Sequence, residues 1–284
     1  MMREAIMNGV RSIAPLPVVA ARLAVLMRDR DVEIGKLVEL VQYDPGLTAR
    51  VIALANSASF GAGRQISTLK DALVRVGLDE LYRLVFISSL GPVMRRPVEG
   101  YDLAIGQLWR HCVATALAAE AIEEFHGKVA GSGVAFTAGL LHDVGKLVMD
   151  SLSEDYFMQI EMKADQDEKP FDEAELEILG IDHTEAGAMV LEQWGFPEDL
   201  VDVVRWHHQP AMAKINPHLA NVVHVADMVA MMMGVGVGRD ALGYRAAADS
   251  LNATSLSRQD IEVVAFRMLG KLEEIEKKLT QNGQ

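Results

Sequence analysis

Apolar residues recur at three- and four-residue spacing along nearly the whole chain, and sustained alternation of apolar with polar residues is hard to find. A chain patterned this way buries its apolar stripes by packing helix on helix, so an all-α fold is expected. After Leu16-Pro17, the residues Val19, Leu23, Leu26 and Met27 share one helical face, and Asp31 is placed to cap a short helix through Ile34, Leu37, Val38 and Val41. Asp44-Pro45 pairs a capping carboxylate with a proline at the first helical position, where the missing N–H costs nothing. That helix carries Leu47, Val51, Leu54 and Ala55 and is expected to end at the small-residue cluster 57–63. Thr68 and Asp71 have capping-box spacing, Gly77 suits a left-handed residue closing the helix, and another helix is expected over 79–90.

Gly91-Pro92 and the stretch 97–100 punctuate the pattern. They divide the chain into an expected helical N-terminal lobe (1–96), a second helical lobe (97–238) and a polar helical tail (239–284). Within the second lobe helices are expected near 105–125, 136–151, 184–194, 198–208 and 219–233. The acidic stretch 151–177 reads as amphipathic helices joined by a loop at 163–170, with Glu173–Glu177 forming a solvated face. In the tail, 259–279 is expected to be helical.

Charge narrows the partners. With 27 basic against 40 acidic residues the net charge is −13, which repels nucleic acid and anionic membranes. Residues 68–90 could be misread as a helix-turn-helix, but the would-be recognition helix begins Asp79-Glu80 and continues mostly apolar, so no DNA binding is expected. Cys112 is the single cysteine, which fits a reducing cytoplasm. The most apolar stretch, 225–238, contains Asp227 and is too short to span a bilayer. No basic flank, apolar core and cleavage site stand together near the start. The expectation is a cytoplasmic chain with no membrane segment.

Seven residues invite a joint reading: His111, His142, Asp143, His183, His207, His208 and Asp227. Imidazole nitrogens and carboxylate oxygens suit Fe, Mn or Zn, and helices projecting them inward are a recurring way to build a metal site. All but His183, which stands at a helix start, fall within expected helices. His142 and Asp143 would lie roughly 100° apart on one helix and flank a single ion. Gly145 permits close approach of a neighbouring element, and Lys146 can offer an ammonium to an anionic oxygen. His126, His218 and His224 read as hydrogen-bonding or packing residues, Met231–Met233 as core, and Cys112 as pointing away from its histidine neighbour.

The segment Leu140-Leu141-His142-Asp143-Val144-Gly145-Lys146-Leu147 resembles the signature of the HD superfamily of metal-dependent phosphohydrolases. Leu16-Pro17, Asp44-Pro45-Gly46-Leu47-Thr48 and Leu54-Ala55-Asn56-Ser57-Ala58 resemble the HDOD family, the HD-related output domain of bacterial signalling proteins. Ile66-Ser67-Thr68-Leu69, Ala72–Gly77, Leu108-Trp109-Arg110-His111, Trp206-His207-His208-Gln209-Pro210 and Val223–Asp227 extend the resemblance over roughly 12–235. It implies a helical N-terminal lobe packed on an HD-type bundle, acting in signal transduction through a protein partner. It also implies a ligand set: His111, His142, Asp143 and Asp227 match the core ligands, while His183, His207 and His208 match those of members holding a second ion. One or two divalent ions are therefore implied. Lys146 matches a lysine that the related HD-GYP phosphodiesterases place near the scissile phosphate, so the alternative is a metal-dependent phosphohydrolase of a nucleotide or phosphoester, with Asp143 and Lys146 as catalytic residues. The chain departs from those enzymes at Gln107, where they often carry a carboxylate, and in lacking the GYP segment.

Overall fold

Asp44 accepts the Leu47 N–H at 2.9 Å with Pro45 at the first position, and Thr68 accepts the Asp71 N–H while its hydroxyl donates to that carboxylate at 2.7 Å. These caps satisfy amides that a helix start leaves without partners, and they begin two of the helices of the all-α structure. The computed structural model describes residues 2–26, 32–57, 60, 65–127, 132–241 and 248–281. The first half comprises α1 (Met2–Ser12), α2 (Val18–Leu26), α3 (Ile34–Val41), α4 (Pro45–Ala55), α5 (Leu69–Val76) and α6 (Leu78–Met94). There follow α7 (Gln107–Phe125), α8 (Ser132–Leu141), α9 (Lys146–Met149), α10 (Glu154–Asp167), α11 (Phe171–Leu179), α12 (His183–Gln193), α13 (Glu198–Trp206) and α14 (Pro217–Met232). Then come α15 (Ala248–Ala253) and α16 (Arg258–Gln281). Among the described residues the only β feature is an isolated bridge between Val98 and Leu103.

Asn56 ends α4 and explains one of the recognisable motifs. Its side-chain amide donates to the Ile66 carbonyl and accepts the Ile66 N–H, both at 2.8 Å, so one residue closes the intervening loop. Gly77 closes α5 with the expected positive φ, +82°, at a ψ of 170° that only glycine adopts readily, and it hands α5 directly to α6. α6 continues through Gly91-Pro92 to Met94, beyond the expected stop at 90. Its Leu81, Tyr82, Val85 and Phe86 are buried, as suits a core helix. The Asp31 cap lies outside the described residues. α1 was not legible from the motifs. It buries Ile6 and Val10 against α9 and α12, where Gln193 and Trp194 donate to the Val10 and Ala14 carbonyls.

α7 is the axis of the second half. Every residue from Leu108 to Glu123 except Arg110 is buried, the signature of a helix enclosed on all sides. It packs against α8, α14 and α16, and its run of alanines lets them approach closely. Glu120 is buried within it and paired with Arg83 from α6 and Lys271 from α16. The tail helix α16 buries Val264, Met268 and Leu272 in this arrangement.

The expected helix 136–151 is two helices. α8 ends at Leu141, residues 142–145 form turns, and α9 restarts at Lys146. Likewise α13 ends at Trp206, so His207 and His208 lie just beyond a helix rather than inside one. Four of the seven candidate residues thus sit in turns: a helix interior would project neighbours about 100° apart, whereas these turns redirect the backbone and let adjacent residues face one point. α10 runs to Asp167, which shortens the expected 163–170 loop. Met232 and Met233 are exposed, contrary to the core expectation, because α14 ends there.

The α7–α8 contact depends on Gly139, where an added Cβ would lie 2.7 Å from the Ala116 Cα and 2.8 Å from its nitrogen. Alanine normally stabilises a helix over glycine by about 1 kcal/mol. Here Gly139→Ala is expected to destabilise by about 1–3 kcal/mol, while Gly35→Ala in α3, with open space around it, should be neutral or stabilising. Urea denaturation of the two variants measures the opposite signs.

Candidate functional site: a buried histidine–aspartate centre

The seven residues converge. His111 comes from α7, His142 and Asp143 from the turn after α8, His183 from the first position of α12, His207 and His208 from the end of α13, and Asp227 from α14. Gly145 makes the convergence possible. A Cβ there would stand 1.9 Å from the His183 carbonyl and 2.5 Å from the Gly187 nitrogen, so only glycine lets the His142-Asp143 turn rest on α12.

The orientation of the rings is decided by their outer nitrogens. Nδ1 of His111 meets the Val235 carbonyl at 3.0 Å, Nδ1 of His142 the Gly139 carbonyl at 2.8 Å, and Nδ1 of His207 the Val204 carbonyl at 2.7 Å. A carbonyl only accepts, so each Nδ1 carries the proton, and in the neutral ring the Nε2 lone pair faces inward. His183 Nδ1 donates instead to Glu175 at 2.7 Å, the carboxylate–histidine arrangement that commonly orients a metal ligand. Glu175 also accepts the His183 backbone N–H and the Tyr101 hydroxyl, and it is fully buried. This corrects the expectation of a solvated 173–177 face: α11 turns Glu175 inward, and Asp172 with it.

Asp143 stands between the two groups of imidazoles. Its Oδ2 lies 3.5 Å from Nε2 of His111 and 3.3 Å from Nε2 of His142; its Oδ1 lies 3.6 Å from Nε2 of His183 and 3.9 Å from Nε2 of His207. Asp227 Oδ1 approaches His111 and His142 at 3.0 and 3.7 Å, and His208 Nε2 lies 3.0 Å from His183 Nε2. Two sets of donor atoms result, His111, His142 and Asp227 on one side and His183, His207 and His208 on the other. Nε2 of His142, Nε2 of His207, Oδ1 of Asp143 and Oδ1 of Asp227 are buried with no hydrogen-bond partner. Unpartnered buried polar atoms are costly, and lone pairs set against lone pairs are a fit for a cation.

The electrostatics agree. Burial pushes Asp143 and Asp227 upward, but His142 and Lys146 around the first, and His111 and His142 around the second, hold both well below the usual carboxylate range. His207 and His208 are held well below the usual imidazole range by burial and by their histidine neighbours, so both are neutral. For His183 burial pulls down but Glu175 outweighs it, raising the ring to about 9, and Asp143 likewise raises His142 against burial. Protons here take the place that a metal ion would claim.

Lys146, at the start of α9, lies 2.6 Å from Asp143 Oδ2 and 2.5 Å from Asp240 Oδ2. Asp240, Glu175 and Tyr101 were not singled out from the sequence; only the fold brings these distant residues beside the motif. Cys112 lies closer than expected, grouped with His142 and Asp143, and burial raises its pKa so that it stays a thiol. The Gln107 side chain is engaged elsewhere: it accepts the Ala104 N–H at 2.6 Å in the loop before α7. His224 is buried and donates to the His207 carbonyl, positioning that turn. His126 and His218 stand apart with Glu123.

A helical bundle with an inward-facing histidine–aspartate centre defines an HD-type protein. The HDOD domain profile matches residues 13–210, and the chain belongs to the HDOD family. It is 26% identical over 204 residues to an uncharacterised protein of Treponema pallidum (strain Nichols); that match covers 72% of this chain but spans only 39% of the relative's length. Among solved structures, an HDOD domain protein of unknown function from Geobacter sulfurreducens shares 26% identity with a TM-score of 0.67, covering 99% of this chain and 94% of that one. A proposed signal transduction protein of Marinobacter aquaeolei VT8 shares 22% identity with a TM-score of 0.73, covering 100% of this chain and 66% of that one. A proposed phosphohydrolase of Shewanella amazonensis SB2B shares 24% identity with a TM-score of 0.61, covering 93% and 98%. Among the described residues no helix is long and apolar enough to cross a membrane.

Asp172 at the mouth of the centre gives a pH prediction. Burial raises its pKa to about 6, against roughly 3.9 for an unfolded aspartate. Between those values the folded chain holds a proton that the unfolded chain has lost, so this residue's contribution to stability falls as pH rises through the window and stays lower above it. Asp172→Asn should therefore be more stable than the wild type near pH 7, by about 1–3 kcal/mol, with the difference disappearing below about pH 4. Thermal melts of both proteins across that range test it.

Proposed function

We propose that this chain is a signal-transduction module of HDOD type whose core binds one or two divalent ions, Fe, Mn or Zn, and whose output passes through contacts with a signalling protein partner. The observation that carries the metal reading is the inward convergence of Nε2 atoms whose Nδ1 partners face carbonyls or Glu175, with four orphaned donor atoms among them. His111, His142, Asp143 and Asp227 would hold one ion and His183, His207 and His208 a second, with the two oxygens of Asp143 directed to either side. Signalling is supported by family membership and by likeness in fold to the proposed signal transduction protein.

A second reading, phosphoester hydrolysis, is favoured by Lys146 and by likeness in fold to the proposed phosphohydrolase. A bound ion would supply Lewis acidity toward a phosphoryl oxygen. The chain's own contribution would be the Lys146 ammonium: burial lowers its pKa, but Asp143 and Asp240 outweigh burial and hold it above the usual lysine range. It is thereby suited to stabilise negative charge rather than to donate a proton. Asp143 would position it. The cavity mouth sets Asp167, Glu168, Asp172 and Glu173 against Lys169, an acidic balance that slows the approach of anionic esters and works against rapid turnover.

Elemental analysis of protein purified without chelator tests the first reading. One or two ions per chain, lost in Asp143→Ala, is the expected result; no metal after incubation with Fe, Mn and Zn overturns it. Glu175→Gln, which removes the carboxylate orienting His183, should weaken metal binding roughly 10–100-fold. Release of phosphate from a panel of nucleotides and phosphoesters by the metal-loaded wild type, abolished in Lys146→Ala, would establish the second reading.

A further inference from the structure

The segment following α14 is built as a strap over this centre. Gly234 and Gly236 adopt φ of +69° and +62° and bend the chain back across the bundle. The Val235 carbonyl between them receives the His111 ring N–H. Gly236 lies so close to α7 that a Cβ would meet the Gln107 carbonyl at 2.5 Å, and at Gly238 a Cβ would meet the Tyr101 carbonyl at 2.3 Å. Beyond the last glycine, Arg239 reaches outward to Glu154 at 2.7 Å and Glu161 at 3.5 Å, both on α10. Asp240 reaches inward and places Oδ2 2.5 Å from the Lys146 ammonium.

The space left beneath the strap, bounded by Lys146, Phe171, His183, His208, Asp227 and Asp240, is about 10 Å³. A water molecule needs on the order of 10–15 Å³, so no phosphoryl group fits while the strap is in place. A cavity of about 590 Å³ adjoins it, sharing Pro170, Asp172 and His208 as its wall. Lys146 is thus a buried cation with two carboxylates upon it. Asp143 belongs to the candidate ligand set, whereas Asp240 belongs neither to that set nor to the segment that matches the family.

Resting on the metal reading above, we propose that Asp240 is an internal competitor for an anionic phosphoryl ligand: its carboxylate occupies the place on Lys146 that a phosphoryl oxygen takes, and the ligand binds by displacing the strap. Geometry favours a phosphoryl group over a lone carboxylate, because several oxygens on one centre can meet Lys146 and the neighbouring ion site together. Val235 stays buried beneath His111, and the Arg239 pairs with Glu154 and Glu161 lie at a half-exposed edge, so moving residues 239–241 off Lys146 breaks ion pairs while the packed part of the strap keeps its place. The strap also connects the centre to α15 and α16, which gives ligand binding a covalent route to the C-terminal helices.

The test is calorimetric titration of the full, metal-replete chain with inorganic phosphate, after its metal content has been measured. Asp240→Asn keeps the shape of the side chain and removes its charge; it should bind phosphate at least about tenfold more tightly than the wild type. Arg239→Ala, which releases only the latch, should shift affinity in the same direction by less. Adding Lys146→Ala to Asp240→Asn should remove the gain. In the wild type, saturating phosphate should speed tryptic cleavage after Arg239. Equal phosphate affinity in the wild type, Asp240→Asn and Arg239→Ala, with metal content unchanged, overturns the competitor role and leaves the metal reading standing. A wild type that holds no ions before phosphate is added overturns both.

Discussion

The rest of the structure is organised around one buried carboxylate. Asp143 is nearly inaccessible, and a charge removed from water in this way persists only if cations or strong donors surround it. Lys146 supplies one at Oδ2, with His111 and His142 beside that oxygen, while His183 and His207 stand beside the other oxygen at distances that leave room for a further cation. These groups come from elements separated by nearly a hundred residues, so assembling them commits α7, α8, α9, α12 and α13 to one arrangement. Asp227 on α14 adds the second negative group. Charge in the centre and packing of the bundle are therefore a single constraint.

Precision in such a centre comes from groups that never face its interior. Carbonyls of Gly139, Val204 and Val235 and the carboxylate of Glu175 each hold one imidazole by its outer nitrogen. Glycines set the backbone separations: Gly145 against α12, Gly139 against α7, and Gly236 and Gly238 under the strap. Leaving His142 and His207 with buried, unpartnered nitrogens is tolerable for a polar group only where an ion or proton can take up the position. Lys146 completes the balance as a cation shared between the centre and the strap.

Much of this was legible in residues taken alone. The all-α class followed from apolar spacing, the caps at Asp44 and Thr68 from local hydrogen-bond chemistry, and the candidate ligands from motif resemblance. Asn56 and Ile66 stood in recognisable motifs, although their reciprocal amide bonds became apparent only when the loop closed. The errors share a cause. Periodicity ran 136–151 together because the turn residues 142–145 interrupt an otherwise apolar run, and it extended α13 through His208 because the next helix breaker in the chain is Pro210, four residues beyond the true end. Helical pattern reports which residues are apolar, and a tight turn inside an apolar run leaves that pattern intact. Glu175, read as solvent-facing among acidic neighbours, is buried because α11 packs with that side toward His183 and Tyr101.

What the amino-acid sequence determined by itself was therefore the helical class, the local starts of helices and the inventory of groups able to bind a cation, because each depends on residues within a turn or two of one another. The tertiary structure decided which oxygens and nitrogens meet, which imidazole nitrogen carries its proton, and that Asp240 lies on Lys146 across a sequence separation of 94. Those are long-range facts: they depend on how close two helices can come and on which backbone carbonyl lies behind a ring, and no local pattern encodes either.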